Sequence, residues 1–199
     1  MPFIPYIRET ARKHSREPLY LIKKQKMNKL HLTWILFLIV NLSVFGQSSE
    51  WNSLNEKDYS IQYPDKWELN KSGQMGTSFI MFSQLTSEND QFKENVNLII
   101  QDLTGHNIDL NQYVEISESQ IKTMITDGNI ISSNRIKNKE TEFQRVIYTG
   151  KQGVLNLKFE QYYWVQNNKA YVLTLTCEIN EFNGFKDIGE KILDSFKIK

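Results

Sequence analysis

The chain is poor in the residues that carry covalent and metal chemistry. Of its 199 residues one is cysteine and three are histidine. A single thiol, Cys177, excludes a disulfide framework within the chain and a thiolate cage for zinc. Four prolines and nine glycines exclude collagen-like and proline-rich linker readings. No Gly-rich phosphate loop, Ser nucleophile elbow or HExxH pattern occurs. Long apolar runs are also missing. The strongest covers residues 30–45, and its uninterrupted core, residues 34–40, falls well short of the ~20 needed to span a bilayer.

Charge of one sign is lacking overall, with 24 Lys and Arg against 23 Asp and Glu. That balance hides a split. Residues 1–46 hold 8 basic and 2 acidic side chains, whereas residues 47–199 hold 16 and 21. The larger part is mildly acidic, which excludes a broad nucleic-acid footprint. At 40 % hydrophobic and 24 % charged, the composition is globular.

The apolar run follows Met27-Asn28-Lys29 and ends Val44-Phe45-Gly46-Gln47. A short apolar core before modest residues is the pattern of a signal peptide. Cleavage is placed after Gly46, with residues 27–46 as the signal peptide and Gln47 as the mature N-terminus. Residues 1–26 then read as an over-extended start or a long basic head. The competing reading is an uncleaved anchor with its basic stretch inside. The expected location is periplasmic or secreted, with membrane contact only through the signal segment.

Residues 47–199 carry no composition break and read as one domain of ordinary size. Alternating or short apolar segments predict strands near residues 59–63, 77–83, 96–100, 130–136, 143–149, 155–165 and 170–178. Pro64 stops the first. Gly150–Gly153 and Gln166–Lys169 are tight connections, and Asn167-Asn168 suits a two-residue hairpin turn. Tight links imply antiparallel neighbours.

Helical spacing places Leu110, Tyr113, Val114, Ile121, Met124 and Ile125 on one face. Asp109 and Gln112 form a capping-box pair, and Gly128 is placed to end the helix in the left-handed conformation. A second helix buries Phe185, Ile188, Ile192, Leu193 and Phe196, with Asn180 as its cap. Gly189 lies on that stripe and permits close approach to the sheet. The fold class is α+β.

Tyr59-Ser60-Ile61-Gln62-Tyr63-Pro64-Asp65-Lys66-Trp67 resembles the opening Y-S-x-x-Y-P-x-x-W of the PsbP family. Glu94-Asn95-Val96-Asn97-Leu98 resembles its central strand motif. Asn168-Lys169-Ala170-Tyr171-Val172-Leu173-Thr174-Leu175-Thr176 is similar to its penultimate strand, and Asp194-Ser195-Phe196-Lys197-Ile198 to its closing D-S-F-K-I. The four segments are collinear from Tyr59 to Ile198. The resemblance implies a central antiparallel sheet with helices on both faces, an α/β/α sandwich. Photosynthetic members of that family support calcium and chloride retention at a manganese cluster, and nothing in this chain points to a photosynthetic host.

Few residues qualify for chemistry. His106 sits in a polar loop with Asp102 and Asp109 near in sequence, a mixed set of the kind that takes zinc or manganese. The spacing matches no established metal motif, so a solvated loop is the simpler reading. The acidic stretch from Ser87 to Gln91 with Glu94 lacks the rhythm of a calcium loop. Cys177 lies in an apolar strand pattern and reads as a small buried hydrophobe. Tyr162 and Trp164 alternate with Phe159 and Tyr163. All are core if both sheet faces are covered, whereas an open end makes Tyr162 and Trp164 a binding surface. Arg135 and Arg145 have Glu142 and Glu160 as cross-strand partners. The expectation is a non-enzymatic, exported accessory module for a protein or small ligand, without cofactor or nucleic acid. The alternatives are a cryptic metal-dependent or hydrolytic enzyme and a membrane-anchored envelope protein.

Overall fold

Alternating apolar residues become strands here because their apolar faces find cover against the helices or the other sheet. The computed structural model describes residues 50–137 and 139–199. The start, signal-peptide and cleavage assignments lie outside them. No helix of the described residues is long and apolar enough to cross a membrane.

Ten strands and two helices follow in order. They are β1 (Trp51–Asn55), β2 (Tyr59–Pro64), β3 (Glu68–Asn70), β4 (Phe79–Phe82), β5 (Asn95–Asp102), α1 (Leu110–Met124), β6 (Thr126–Lys137), β7 (Glu142–Gln152), β8 (Leu155–Gln166), β9 (Lys169–Glu178), α2 (Phe182–Asp194) and β10 (Lys197–Ile198). Seven strands pair in the order β3-β4-β5-β9-β8-β7-β6, and β1-β2-β10 form a second sheet. Each pairing is antiparallel.

The hairpins follow their turn chemistry. Asn167 and Asn168 both take φ 55° between β8 and β9, the left-handed pair that a tight hairpin requires. Gly153, at φ 60°, turns β7 into β8.

Residues facing one side of the large sheet, among them Tyr162, Trp164, Leu173, Leu175 and Cys177, share a core with Phe182, Ile192 and Leu193 of α2. Leu54, Tyr59 and Ile61 of the small sheet join that core. Residues of the opposite parity, including Val146, Tyr163 and Val172, pack with Tyr113, Val114 and Ile121 of α1. The small sheet was not expected, and it shares one face of the large sheet with α2. A plain α/β/α description therefore omits a layer component. The second sheet forms because Leu54, Ile61 and Tyr59 alternate inward and β10 returns to pair with β2. Ser195 fastens it, accepting from the Gln62 N–H at 2.9 Å and donating to Ile192 O at 2.6 Å.

Three local expectations need correction. Gly128 does not end α1. The helix stops at Met124, Ile125 is extended, and Asp127 rather than Gly128 takes the positive φ. Gly128 is needed for space, since a Cβ there would lie 2.0 Å from the Ile121 carbonyl oxygen. Met124 is 76 % exposed and lies off the buried stripe. Asn180 does not cap α2. The tight turn from Glu178 to Glu181 carries the chain one residue further, and Glu181 stands at the cap without a side-chain bond. The Asp109–Gln112 capping box forms in full.

Candidate ligand-binding groove

The α1 side of the large sheet is wider than α1 can cover. Inward residues at the centre of a sheet covered on both sides are normally apolar. Here three adjacent strands turn amides and hydroxyls to this face instead. Asn97 on β5 stands opposite Thr174 on β9, which stands opposite Gln161 on β8. The next row runs Asn95, Thr176, Phe159, Tyr148.

Two adjoining hollows open over these rows. One, of about 300 Å³, lies between α1 and the sheet, against Gln101, Tyr113, Ser117, Gln120 and Met124. The other, of about 360 Å³, lies over Asn95, Asn97, Thr174 and Thr176. Ile99, Tyr148 and Gln161 line both. Phe82, Phe92 and Phe159 add partly buried rings to the second hollow.

Its rim is the short 3₁₀ turn Gln74–Gly76. Gly73, Met75 and Gly76 all have positive φ, at 77°, 54° and 76°. For Met75 this is a costly conformation. The side chain it presents is 74 % exposed at the groove edge.

The floor is held still by its own hydrogen bonds. The Gln161 amide donates to Thr174 Oγ1 at 3.0 Å, and its carbonyl oxygen accepts from the Tyr163 hydroxyl. Tyr113 donates to Gln101 at 2.5 Å and meets Tyr163 edge-on, ring centres 5.7 Å apart. Tyr148 stacks on Phe159 at 4.6 Å, is 4 % exposed, and its hydroxyl has no partner among the described residues. Burial pushes the Tyr148 and Tyr163 hydroxyls well above the ordinary tyrosine range. They stay protonated and neutral, able to donate and accept.

No Asp, Glu, His, Lys or Arg lines either hollow. The ion pairs lie outside the hollows, those of Arg145 on the α2 face and those of Arg135 on the α1 face, where Arg135 also donates to Asn111 of α1 at 2.6 Å. Arg145 bonds Glu160 at 2.7 Å and also Glu190 on α2. Arg135 bonds Glu142 at 3.2 Å and Gln144 at 2.9 Å. Both arginines thus have the cross-strand partners anticipated for them.

The sequence-selected residues lie elsewhere. His106, Asp102 and Asp109 are exposed at the β5–α1 connection. Thr104 hydrogen bonds hold the Asp102 carboxyl below its usual range, and Asp109 is committed to the Gln112 N–H. Among the described residues, no group of three or more His, Cys, Asp or Glu is arranged to hold a metal ion. Asp90 folds back onto Thr86 and Phe92, while Glu94 turns inside. Tyr162 and Trp164 are 3 % and 6 % exposed, which places both in the core and corrects the open-surface reading. Cys177 is fully buried, and burial beside Glu94 and Glu160 pushes its thiol far up.

Sequence reasoning missed the groove residues. The available signal was the run of Asn95, Asn97, Gln101, Gln161, Thr174 and Thr176, neutral polar residues at strand parity in segments otherwise apolar.

No protein-family model matches the chain, and no curated protein matches it in sequence. Solved structures do share its architecture. Cyanobacterial PsbP (CyanoP) of Synechocystis is 14 % identical with a TM-score of 0.58, covering 76 % of this chain and 94 % of that one. LpqN of Mycobacterium tuberculosis, involved in cell envelope biogenesis, is 13 % identical with a TM-score of 0.53, covering 75 % and 91 %. A Pseudomonas aeruginosa protein of unknown function, described as a possible regulator, is 10 % identical with a TM-score of 0.50, covering 73 % and 95 %. The chain has a PsbP-like fold.

Proposed function

We infer that this chain is an exported, non-enzymatic envelope module of α/β/α type that binds its ligand in the groove beside α1. One observation carries the reading: two adjoining hollows on a hydrogen-bonded sheet floor, lined by amides, hydroxyls and rings. Sites for small ligands are concave, largely pre-formed and furnished with a few fixed polar groups. The interlocked Gln161, Thr174 and Tyr163 side chains supply such a floor. General acid–base or nucleophilic catalysis calls for converging titratable groups, and the groove lining offers only tyrosines held in their neutral form. The basic, apolar N-terminal segment supports export. The envelope role of LpqN, a structural neighbour, agrees with that location.

The test is a nuclear magnetic resonance screen of uncharged fragments against the isotope-labelled protein. Perturbed amides are expected to cluster at Asn97, Tyr148, Gln161 and Thr174. Fragments that cluster on another surface, or nowhere, overturn the groove as the binding site.

A further inference from the structure

We propose that the groove takes a neutral saccharide chain; this deepens the binding function just given and rests on it. The chain carries 47 formally charged Lys, Arg, Asp and Glu side chains, yet none lines either hollow. A phosphorylated, nucleotide or uronic-acid ligand would lose its hydration there and meet no counter-charge, at heavy cost. An uncharged ligand meets no such barrier.

Groups that are neutral and can both donate and accept match hydroxyls, which do the same. Asn97, Thr174 and Gln161 stand side by side on three neighbouring strands whose backbones lie about 5 Å apart, and the Gln161 and Thr174 side chains close to 3.0 Å. Vicinal hydroxyls of one pyranose ring are spaced much like the hydrogen-bonded Gln161–Thr174 pair, and successive linked rings repeat at about the strand spacing. The Thr174 hydroxyl accepts from Gln161, which leaves its own proton for a ligand oxygen.

Tyr148 points to the same chemistry independently. It is 4 % exposed, lines both hollows where they meet, and its hydroxyl is unpartnered among the described residues. The hydroxyl itself opens into the groove, since the buried side-chain oxygens without a partner among the described residues are those of Glu94 and Glu160. A ligand hydroxyl at the junction would satisfy it. Partly buried Phe82, Phe92 and Phe159 provide apolar surface for the C–H faces of sugar rings.

An extended peptide fits less well. Peptides that add to sheets use the free backbone groups of an edge strand. This groove lies over β5, β9 and β8, whose backbones are paired on both sides.

The purified protein is screened on an array of neutral and acidic glycans, and hits are measured by calorimetry beside an uncharged decapeptide. At least one neutral oligosaccharide is expected to bind, with acidic glycans and the peptide not binding. Tyr148→Phe removes a single hydroxyl, and Gln161→Ala removes the floor amide. Each is expected to weaken that glycan by roughly tenfold, the value of one well-placed hydrogen bond. An unchanged melting temperature for Tyr148→Phe separates lost recognition from lost folding. Failure of every neutral glycan, preference for acidic glycans or the peptide, or full affinity in Tyr148→Phe overturns the saccharide assignment. If fragments still cluster at Gln161 and Thr174 while glycans fail, the groove remains a binding site for another neutral ligand. If both fail, the binding function falls with it.

Discussion

Glu94 and Glu160 are the carboxylates that the fold removes entirely from water among the described residues, and each keeps one oxygen without a partner. Glu160 has Arg145 at 2.7 Å, although burial still raises its carboxyl above the ordinary range. Among side chains Glu94 has the Ser83 hydroxyl, at a long 3.5 Å. Burial, joined by the charges of Asp90 and Glu178, raises it against opposing backbone hydrogen bonds. The folded protein therefore holds this proton more tightly than the unfolded chain. Stability from Glu94 is complete below about pH 4.5, its ordinary value, and is lost as pH rises through the folded value. Glu94→Gln should raise the urea midpoint relative to the parent at pH 8 and leave it nearly unchanged at pH 4. A midpoint lowered at pH 8 would show that the charged form is stabilised after all. Trp67 is the complementary apolar case. It is 7 % exposed and meets Phe185 of α2 edge-on, ring centres 6.3 Å apart. Trp67→Ala should cost ~3–5 kcal/mol, a large part of a typical ~5–15 kcal/mol stability, read from urea unfolding.

Within α2, two glycines have opposite meanings. Gly184 is exposed and a Cβ there meets nothing within 4 Å. Gly189 is buried, and a Cβ there would lie 2.4 Å from a Leu175 methyl and 3.2 Å from Leu175 Cγ. Alanine favours a helix over glycine by ~1 kcal/mol, less near an end. Gly184→Ala should therefore raise the urea midpoint. Gly189→Val adds a branched side chain against β9 and should lower stability by about 1–3 kcal/mol through overpacking. Equal shifts from the two would contradict the packing of α2 on Leu175. The role of Gly189 was legible in sequence, because it fell on the stripe with Ile192, Leu193 and Phe196. The role of Gly128 was not. Its requirement comes from the Ile121 carbonyl oxygen, brought near when the chain reverses from α1 into β6. Caps divide the same way. The Asp109–Gln112 box spans four residues and is purely local, whereas the entry to α2 depends on how β9 ends.

At the scale of the molecule, the N-terminal charge and hydropathy pattern leads to a direct check. Intact mass of the exported form should correspond to a chain beginning at Gln47, and recovery of a membrane-bound species that retains residues 30–45 would favour the anchor. The sequence by itself determined the antiparallel meander of the C-terminal half, since Asn167-Asn168 and Gly153 act through local backbone preference. It also determined most of the two helical stripes and the burial of Cys177, because apolar residues at helix or strand spacing are drawn out of water together. Only the tertiary structure decided which parity of β8 meets which helix, and that the small sheet would share a face with α2. The groove belongs to this second class. Asn97, Gln161 and Thr174 are far apart along the chain and look like ordinary polar alternation until register sets them in one row. Whether a strand face is covered or left open depends on where α1 lies across seven strands, a long-range fact that no local preference contains.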